Sequence, residues 1–157
     1  LYINENQVMV EVGNDVFYSR VIDERFPDFE SVIPKDNNKE LIVNRLDLLS
    51  TVKRVSVLSN KTTKQIALNL TKDNIKITTE DNEKSSRGFE NISGSFTGEN
   101  LIIGYNAAYL KDILSHLTTD EIMIKLNSPI SAGLFFPKEK LKDSDLTMLL
   151  MPIRLNN

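Results

Sequence analysis

The fold of this 157-residue chain is limited most by a repeated pattern of short segments in which apolar and polar residues alternate. Only a few turn-forming residues separate these segments. Residues 65–71 (QIALNLT) and 74–80 (NIKITTE) alternate in this way, and only Lys72 and Asp73 lie between them. A period of two is typical of strands with one buried face. Because so short a connection cannot cross to a parallel neighbour, the two segments are predicted to pair as an antiparallel hairpin.

The same alternation recurs along the chain and is interrupted by two segments with helical spacing. Residues 46–59 and 106–117 each place apolar side chains on one side of a helix, and we expect Asn106 to be the N-cap of the second. Further strands are predicted at 2–12, 16–22, 40–45, 86–93, 101–106, 121–126, 132–136 and 147–153. Strands outnumber helices and most connections are short, so the sequence predicts an α+β fold in which two helices cover one face of an antiparallel sheet.

A change in composition at residues 36–39 divides the chain. Residues 2–12 and 16–22 flank a Gly-Asn-Asp turn, which predicts a separate hairpin at the start of the chain. Residues 23–40 then contain two prolines and end in a polar stretch, as a connector between domains does. We therefore predict a hairpin and a connector followed by one larger domain.

Composition excludes several kinds of catalytic site. There is no Cys, which rules out thiolate catalysis, disulfide bonds and Cys-ligated zinc. The single His, His116, falls late in the second predicted helix on its polar side, where a side chain that can become a cation is favourable. The carboxylates are scattered, and no apolar run approaches the roughly 20 residues of a membrane-spanning helix. We predict no enzyme, no metal and no cofactor, and a small α+β enzyme using its carboxylates is the competing interpretation.

The basic residues of the two predicted helices allow two interpretations. Lys53 and Arg54 lie off the apolar side of the first helix, and Lys111 occupies the corresponding side of the second. A charged helix face is usually a solvated one, yet two faces with few acids also suit a phosphate backbone. The net charge of −3 argues against a chain that simply coats nucleic acid, but it leaves room for one basic face.

The end of the chain, LTMLLMPIRLNN, combines a strongly apolar run with a proline. Leu146 and Leu149 suit a final core strand, whereas Pro152 has no amide hydrogen and does not belong in a central strand. Although the apolar run extends to Ile153, we therefore expect the chain to leave the edge of the sheet at Met151. Flexible apolar side chains placed there would line a groove for a partner.

Four blocks of the sequence together resemble the beta sliding clamp of bacterial DNA polymerase III. They are SRVIDERFPDFESVIP (19–34), RVSVLSN (54–60), IGYNAAYLKDIL (103–114) and LLMPIRL (149–155). They come in the family's order and at its spacing, and they cover the chain from end to end. The resemblance implies the DNA-clamp fold, with residues 1–36 as the end of the middle of three similar domains and residues 37–157 as the third, so we expect a longer protein.

The resemblance also implies a function in DNA replication. Two protomers of the family close head to tail into a ring around duplex DNA, with helices on the inner wall, and act as a polymerase processivity factor in the bacterial cytoplasm. It implies that Lys53, Arg54 and Lys111 face DNA. It further implies that Arg54, Val57 and Leu58 lie at the interface between protomers, which for Arg54 is the alternative to a contact with DNA. A stand-alone peptide-binding adaptor without a role on DNA is the alternative.

A hydrophobic pocket between the second and third domains of the family binds short linear peptides of the replicative polymerase, the clamp loader and repair proteins. The resemblance implies that its walls here include Pro27, Val32, Thr63, Asn106, Tyr109, Ile130, Ala132, Leu149, Met151, Pro152, Ile153 and Arg154. Three features depart from the family. Thr63 stands where a bulkier residue is common, residues 83–90 are less acidic than expected at a ring interface, and the other half of the pocket would lie upstream of Leu1.

Overall fold

The computed structural model describes residues 1–26, 28–139 and 145–155, and the chain divides into two compact units, residues 1–32 and 33–157. In the first unit, three antiparallel strands form a sheet in the order β1-β2-β3, where β1 is Tyr2–Ile3, β2 is Gln7–Val12 and β3 is Asp15–Arg20. A short 3-10 helix, Phe29–Val32, follows. The β2–β3 hairpin turns at Gly13, whose φ of +62° lies in the left-handed region that favours glycine.

The prediction of one continuous strand over residues 2–12 is wrong. The side-chain Oδ1 of Asn4 accepts hydrogen bonds from the backbone N–H of Asn6 (2.9 Å) and of Gln7 (2.7 Å), and these bonds turn the chain between β1 and β2. A short polar side chain of this kind competes with strand pairing because it offers the backbone an alternative acceptor. As a result β1 folds back onto β2 with Tyr2 opposite Met9.

The second unit contains most of the described secondary structure. In chain order its elements are β4 (Lys39–Asn44), α1 (Arg45–Val55), β5 (Gln65–Thr71), β6 (Asn74–Asp81), β7 (Ser86–Ser93), β8 (Ser95–Thr97), β9 (Leu101–Asn106), α2 (Ala107–His116), β10 (Glu121–Leu126), β11 (Gly133–Pro137) and β12 (Met148–Leu150). Its described strands pair antiparallel in two sheets, ordered β12-β11-β10-β4-β8 and β7-β6-β5-β9. The α+β class is confirmed, although the strands divide between two sheets where the sequence predicted one.

The β5–β6 hairpin shows how the alternating pattern forms the core. Leu68 lies opposite Ile77 and Leu70 lies opposite Ile75, and all four side chains are buried. The residues between them on each strand are only partly buried on the other face. Each buried aliphatic side chain of this size contributes about 1.5–3 kcal/mol to the free energy of folding relative to an exposed one. The predicted hairpin is thus confirmed in position and pairing.

The two helices contact each other and both sheets. α1 contacts β4 of the five-stranded sheet and β6 and β7 of the four-stranded sheet, and α2 contacts β12 and β9. Their apolar faces bury Leu48 and Val52 on α1, and Leu110 and Leu114 on α2, completely. A single core is therefore enclosed by the helix pair and the two sheets. Among the described helices, none has the length and apolar character needed to cross a bilayer.

The ends of the helices are fixed by side chains of the loops. The N-cap prediction for α2 is confirmed, because Oδ1 of Asn106 accepts a hydrogen bond from the Ala108 N–H at 2.9 Å. α1 ends at Val55, earlier than predicted, and residues 56–58 form a 3-10 turn. The hydroxyl and the N–H of Ser59 both donate to the carbonyl oxygen of Ser56, at 2.7 and 3.2 Å, and so close the turn.

Candidate partner groove and helix face

The C-terminal residues join the two sheets of the second unit. β12 pairs with β11 with Leu149 opposite Leu134 and ends at Leu150. The chain then passes through Pro152, outside any strand, to Ile153, whose N–H donates a 2.9 Å hydrogen bond to the carbonyl oxygen of Gly104 on β9. The expectation that the chain leaves the strand at Met151 is confirmed, and the strand predicted over residues 147–153 is wrong in its last three residues. Pro152 lies outside the strand, so its lack of a backbone N–H removes no hydrogen bond between strands.

A glycine on β9 allows this close approach. A Cβ atom at Gly104 would lie 2.7 Å from the carbonyl oxygen of Ile153 and 2.7 Å from Cδ2 of Leu155. Contacts this short do not occur between a real Cβ and either atom, so any larger residue would push residues 153–155 away from β9. Gly104, within the block IGYN, therefore has a packing function rather than a conformational one.

An open groove of about 590 Å³ lies beside these terminal residues. It brings together three of the predicted peptide-binding residues, Ile130, Ile153 and Arg154. Its other lining residues are Lys39, Asn100, Leu101, Ile102, Gly104, Pro129 and Leu155. Most of these side chains are apolar, with the Arg154 guanidinium and the Lys39 ammonium as cations. Such a surface suits aliphatic or aromatic side chains of a ligand that also carries an acceptor.

The start of α2 carries two more of the predicted residues, Asn106 and Tyr109, and a third, Thr63, lies in the loop next to it. Besides capping the helix, Asn106 donates from Nδ2 to the carbonyl oxygen of Thr63 at 3.2 Å, so its amide ties the loop before β5 to α2. Tyr109 lies one turn further along the helix and is 64% exposed. The sequence predicted the cap but not the bond to Thr63. Tyr109 is the member of this group that presents a large side chain to solvent.

The remaining predicted peptide-binding residues are spread around these features. Met151 is 60% exposed, Leu149 and Pro152 are half-buried, and Ala132 is buried. Val32 belongs to the first unit, where it is exposed. Pro27 lies outside the described residues.

Tyr105, also in the block IGYN, is a buried polar residue that the sequence did not single out. Its ring packs edge to face on Phe135, with centroids 6.1 Å apart. Its hydroxyl has no hydrogen-bond partner among the described residues, and burial raises the pKa of the phenol above its ordinary value. A Cβ at Gly133 would overlap this hydroxyl, so the glycine provides the space that the phenol occupies.

The basic residues predicted to face DNA differ in their surroundings. Arg54 donates from Nε to Oε1 of Glu90 (2.9 Å) and from Nη2 to Oε2 (2.7 Å), a bidentate pair between α1 and β7. These hydrogen bonds hold the pKa of the Glu90 carboxyl below its ordinary value and raise that of Arg54. Lys53 is exposed, and Lys111 is half-buried, with Nζ 3.4 Å from the Ser56 hydroxyl. The charge of Arg54 is thus matched by a carboxylate of the same unit.

The residues predicted at a protomer interface lie beside the edge strand β7. Val57 is 80% exposed and Leu58 is 41% exposed. A Cβ at Gly88 would lie 2.7 Å from Cδ1 of Leu58, so this glycine lets the leucine lie across the strand. Among the described residues β7 pairs with β6 alone, which leaves its other edge available for a further strand. Phe89, 59% exposed on β7, extends the apolar surface there.

Comparisons with known proteins give one consistent result. The sequence profile described as DNA polymerase III beta subunit, C-terminal domain, matches residues 30–154. The beta sliding clamps of Proteus mirabilis and Haemophilus influenzae are 31% and 32% identical over 155 residues, covering 99% of this chain and 41% of each relative. The chain therefore spans less than half the length of these relatives.

Solved structures give the same fold. The sliding clamp (DNA polymerase III subunit beta) of Bartonella birtlesii bound to griselimycin has a TM-score of 0.88 at 31% identity, over 98% of this chain and 40% of that one. The beta subunit of DNA polymerase III from Thermotoga maritima has a TM-score of 0.81 at 26% identity, over 98% of this chain and 41% of that one.

Proposed function

The chain belongs to the family of the DNA polymerase III beta subunit, C-terminal domain, and on this basis we propose that it is part of a sliding clamp. In this proposal the whole protein is a ring of two protomers that encircles duplex DNA in the bacterial cytoplasm and tethers the replicative polymerase. Residues 37–157 form the third domain of the protomer, and residues 1–36 end the domain before it. The observation that carries the proposal is the profile match over residues 30–154, which spans both helices and both sheets of the second unit.

The helix layer is the part of this unit that we assign to DNA. A ring holds DNA by enclosing it, so its inner wall needs weak, sequence-independent contacts to phosphates rather than base recognition. Lys53 and Lys111 are carried by the two helices and supply positive charge for such contacts. A net charge of −3 does not oppose this, because only the surface that faces DNA needs to be positive.

The groove beside the terminal residues is the surface that we assign to partner proteins. We expect it to receive a short linear peptide shared by the polymerase, the clamp loader and repair proteins. Its apolar lining accepts aliphatic and aromatic anchors, and Arg154 offers donors to a peptide carbonyl or carboxylate. Met151 and Tyr109 are both large and more than half exposed. Because Met151 lies close in sequence to Ile153 and Tyr109 lies close to Gly104, two residues that line the groove, both side chains supply further contact area for a partner.

Ring closure requires a second surface, which we assign to Val57, Leu58 and the open edge of β7. Exposed apolar residues beside an unpaired strand edge are suited to strand-to-strand association with another protomer. Arg54 supports this surface indirectly, because its pair with Glu90 fastens the end of α1 to β7.

Encirclement is tested with the full-length protein on circular DNA. Loaded by its clamp loader onto a closed circle, the protein should stay bound in high salt and should be released when one cut linearises the DNA. Equal loss from closed and linear DNA would refute the proposed function, because only a topological link depends on the ends of the DNA.

The peptide site is tested by calorimetry on the same protein. A peptide with a Gln, a Leu and a terminal aromatic pair should bind, and the double variant Met151→Ala, Tyr109→Ala should weaken it. Loss of contact residues at the centre of an interface typically costs about 2 kcal/mol or more, which corresponds to roughly a 30-fold rise in Kd. The control is Phe89→Ala, which removes a comparably exposed aromatic ring on β7. Equal affinity of wild type and double variant would reject this assignment of the groove.

A further inference from the structure

The groove beside the terminal residues contains two cationic side chains that come from different parts of the fold. Lys39 is the first residue of β4, and Arg154 belongs to the segment that follows β12. The resemblance assigned Arg154 to the peptide site, but it did not assign Lys39. None of the described residues that line the groove is acidic, so its positive charge is not neutralised by its own lining.

The Lys39 side chain is held in place along its length. A Cβ at Gly98 would lie 2.9 Å from Cγ of Lys39 and 3.3 Å from its Cδ, so the glycine provides the space that the lysine stem occupies. The Lys39 ammonium donates a 2.8 Å hydrogen bond to the carbonyl oxygen of Asn127. An ammonium group has three N–H donors, and this bond uses one of them. The half-buried charge is therefore fixed in position and keeps donors for a ligand.

The carboxylates closest in sequence to Lys39 interact with other groups. Glu40 pairs with Lys125 at 3.4 Å, and the Asp36 carboxylate accepts a 2.7 Å hydrogen bond from Nδ2 of Asn127. Among the described residues, no carboxylate oxygen lies within 4.0 Å of the Lys39 ammonium or of the other cation of the groove. Because water screens a half-buried charge less than an exposed one, Lys39 is well suited to bind a carboxylate that a ligand supplies.

Lys39 lies apart from the residues to which we assign the apolar anchors of the peptide. Neither Met151 nor Tyr109 is among the residues that line the groove with Lys39. Tyr109 is carried by α2, Met151 precedes the terminal segment, and Lys39 enters the groove from β4. A peptide that contacts all three side chains must therefore reach Lys39 with residues that flank its anchors.

We infer that Lys39 is a specificity-determining residue of the groove, which selects partner peptides that carry a carboxylate beside their apolar anchors. The inference rests on the groove assignment in the proposed function and deepens it by naming the chemistry that the groove prefers. The carboxylate can come from two sources, an acidic side chain ahead of the anchors or the free carboxyl terminus after them. An ammonium suits either source, because its compact charge and rotatable donors do not demand one geometry of approach.

The test is a double-mutant cycle between protein and peptide, measured by calorimetry on the full-length protein. The neutral peptide is acetylated, places an Asn ahead of its Gln, Leu and terminal aromatic pair, and ends in an amide. One acidic form replaces that Asn by Asp, and the other has a free carboxyl terminus. We expect one acidic form to bind wild type about fivefold more tightly than the neutral peptide, since charge-assisted hydrogen bonds are stronger than neutral ones. In Lys39→Gln this preference should fall below about twofold.

The variant Lys39→Gln separates selection from support of the fold. Its amide keeps an N–H donor for the Asn127 carbonyl while the charge is lost. If Lys39 only supported the loop at Asn127, the affinities for acidic and neutral peptides would fall by the same factor, whereas selection changes their ratio. Lys39→Arg keeps the charge and should keep the preference. The matched control is Lys72→Gln, which removes the same charge from an exposed turn residue outside the groove and should leave the ratio unchanged.

Several outcomes would overturn the inference. Equal affinity of wild type for the neutral peptide and both acidic forms would show that the groove does not select a carboxylate. An unchanged preference in Lys39→Gln, with loss of that preference in Arg154→Gln, would assign the selection to Arg154 alone. An equal loss of preference in Lys72→Gln would reduce the effect to net charge. The acidic form that loses its advantage in Lys39→Gln identifies the source of the carboxylate.

The neutral peptide and circular DNA report on the proposed function separately. If wild type binds the neutral peptide and the double variant Met151→Ala, Tyr109→Ala weakens it, but acidity has no effect, this inference alone is rejected. If no form of the peptide binds, the groove assignment and the inference are rejected together. Release from closed and linear DNA alike rejects the sliding clamp, whereas an acidic preference that is lost in Lys39→Gln supports the inference in either case.

Discussion

Replacing Gly104 by Ala tests whether the approach of the terminal residues to β9 forms the partner groove. The added methyl would lie 2.7 Å from the carbonyl oxygen of Ile153 and 2.7 Å from Cδ2 of Leu155. The first neighbour is backbone, which cannot rotate away. We therefore expect residues 153–155 to move outward and the 2.9 Å hydrogen bond from Ile153 to Gly104 to break.

The magnitude follows from three contributions. Forcing a methyl into a packed site typically costs about 1–3 kcal/mol, and losing one backbone hydrogen bond costs about 0.5–1.5 kcal/mol. Restricting the unfolded chain by Gly→Ala offsets about 0.4–1 kcal/mol of this. The expected net loss in the free energy of unfolding is about 0.5–4 kcal/mol. Because Ile153 and Arg154 line the groove, we also expect peptide affinity to fall roughly tenfold or more, about 1.4 kcal/mol.

Urea denaturation and peptide calorimetry on the full-length protein measure the two effects. Gly88→Ala is the matched control, because its methyl would lie equally close, 2.7 Å, to Cδ1 of Leu58. That atom ends a flexible and partly exposed side chain that can turn aside. The control should lose less stability and keep its peptide affinity. If Gly104→Ala binds peptide as tightly as wild type, the terminal residues do not form the groove in the way described.

Three further predictions concern single side chains. Asn106→Ala removes the acceptor for the Ala108 N–H and should lower the free energy of unfolding, measured in urea, by about 1 kcal/mol. Asn106→Ser keeps a capping oxygen, so equal stability of the two variants would show that the cap does not stabilise the protein. Tyr105→Phe deletes a buried hydroxyl that has no hydrogen-bond partner among the described residues, so the free energy of unfolding should be unchanged or higher. A decrease of more than about 1 kcal/mol in that free energy would show that the hydroxyl is hydrogen-bonded. Because Arg54 lowers the pKa of Glu90, their pair stabilises fully above the ordinary value of 4.5 and is lost as pH falls through the lower folded pKa. Acid denaturation should therefore depend less on pH in Glu90→Gln, and identical curves would contradict this.

Local patterns predicted those elements whose pairing partner is close in sequence. The β5–β6 hairpin followed from alternation and a two-residue connection. β8 escaped notice because its three residues bury one side chain, Phe96, and pair with β4, more than fifty residues earlier. Alternation also cannot tell which strands share a sheet, since it records only that one face is buried. The division into two sheets is a property of long-range pairing.

The candidate site shows the same limit. The missing amide hydrogen of Pro152 was sufficient to predict where the chain leaves the strand. Its next contact, at Gly104, depends on the relative position of two sheets and has no local signal. Likewise the helical period placed Arg54 on a polar face, but the partner that engages it, Glu90, lies 36 residues further along the chain. A long side chain can reach a neighbouring strand, so its availability cannot be read from the period of its own helix.

The junction between β9 and α2 supports two of the surfaces assigned to partners in the second unit, the groove and the helix layer. Gly104 receives the terminal residues that border the groove, and Asn106 caps α2 while holding the loop at Thr63. The N–H of Ala107 holds that loop at Lys64. A substitution at this junction therefore disturbs the groove and the start of α2 together, because Gly104, Asn106 and Ala107 lie within four consecutive residues. Substitutions at Met151 or Lys53, beyond the junction, are the ones that can assign peptide binding and DNA contact to separate surfaces.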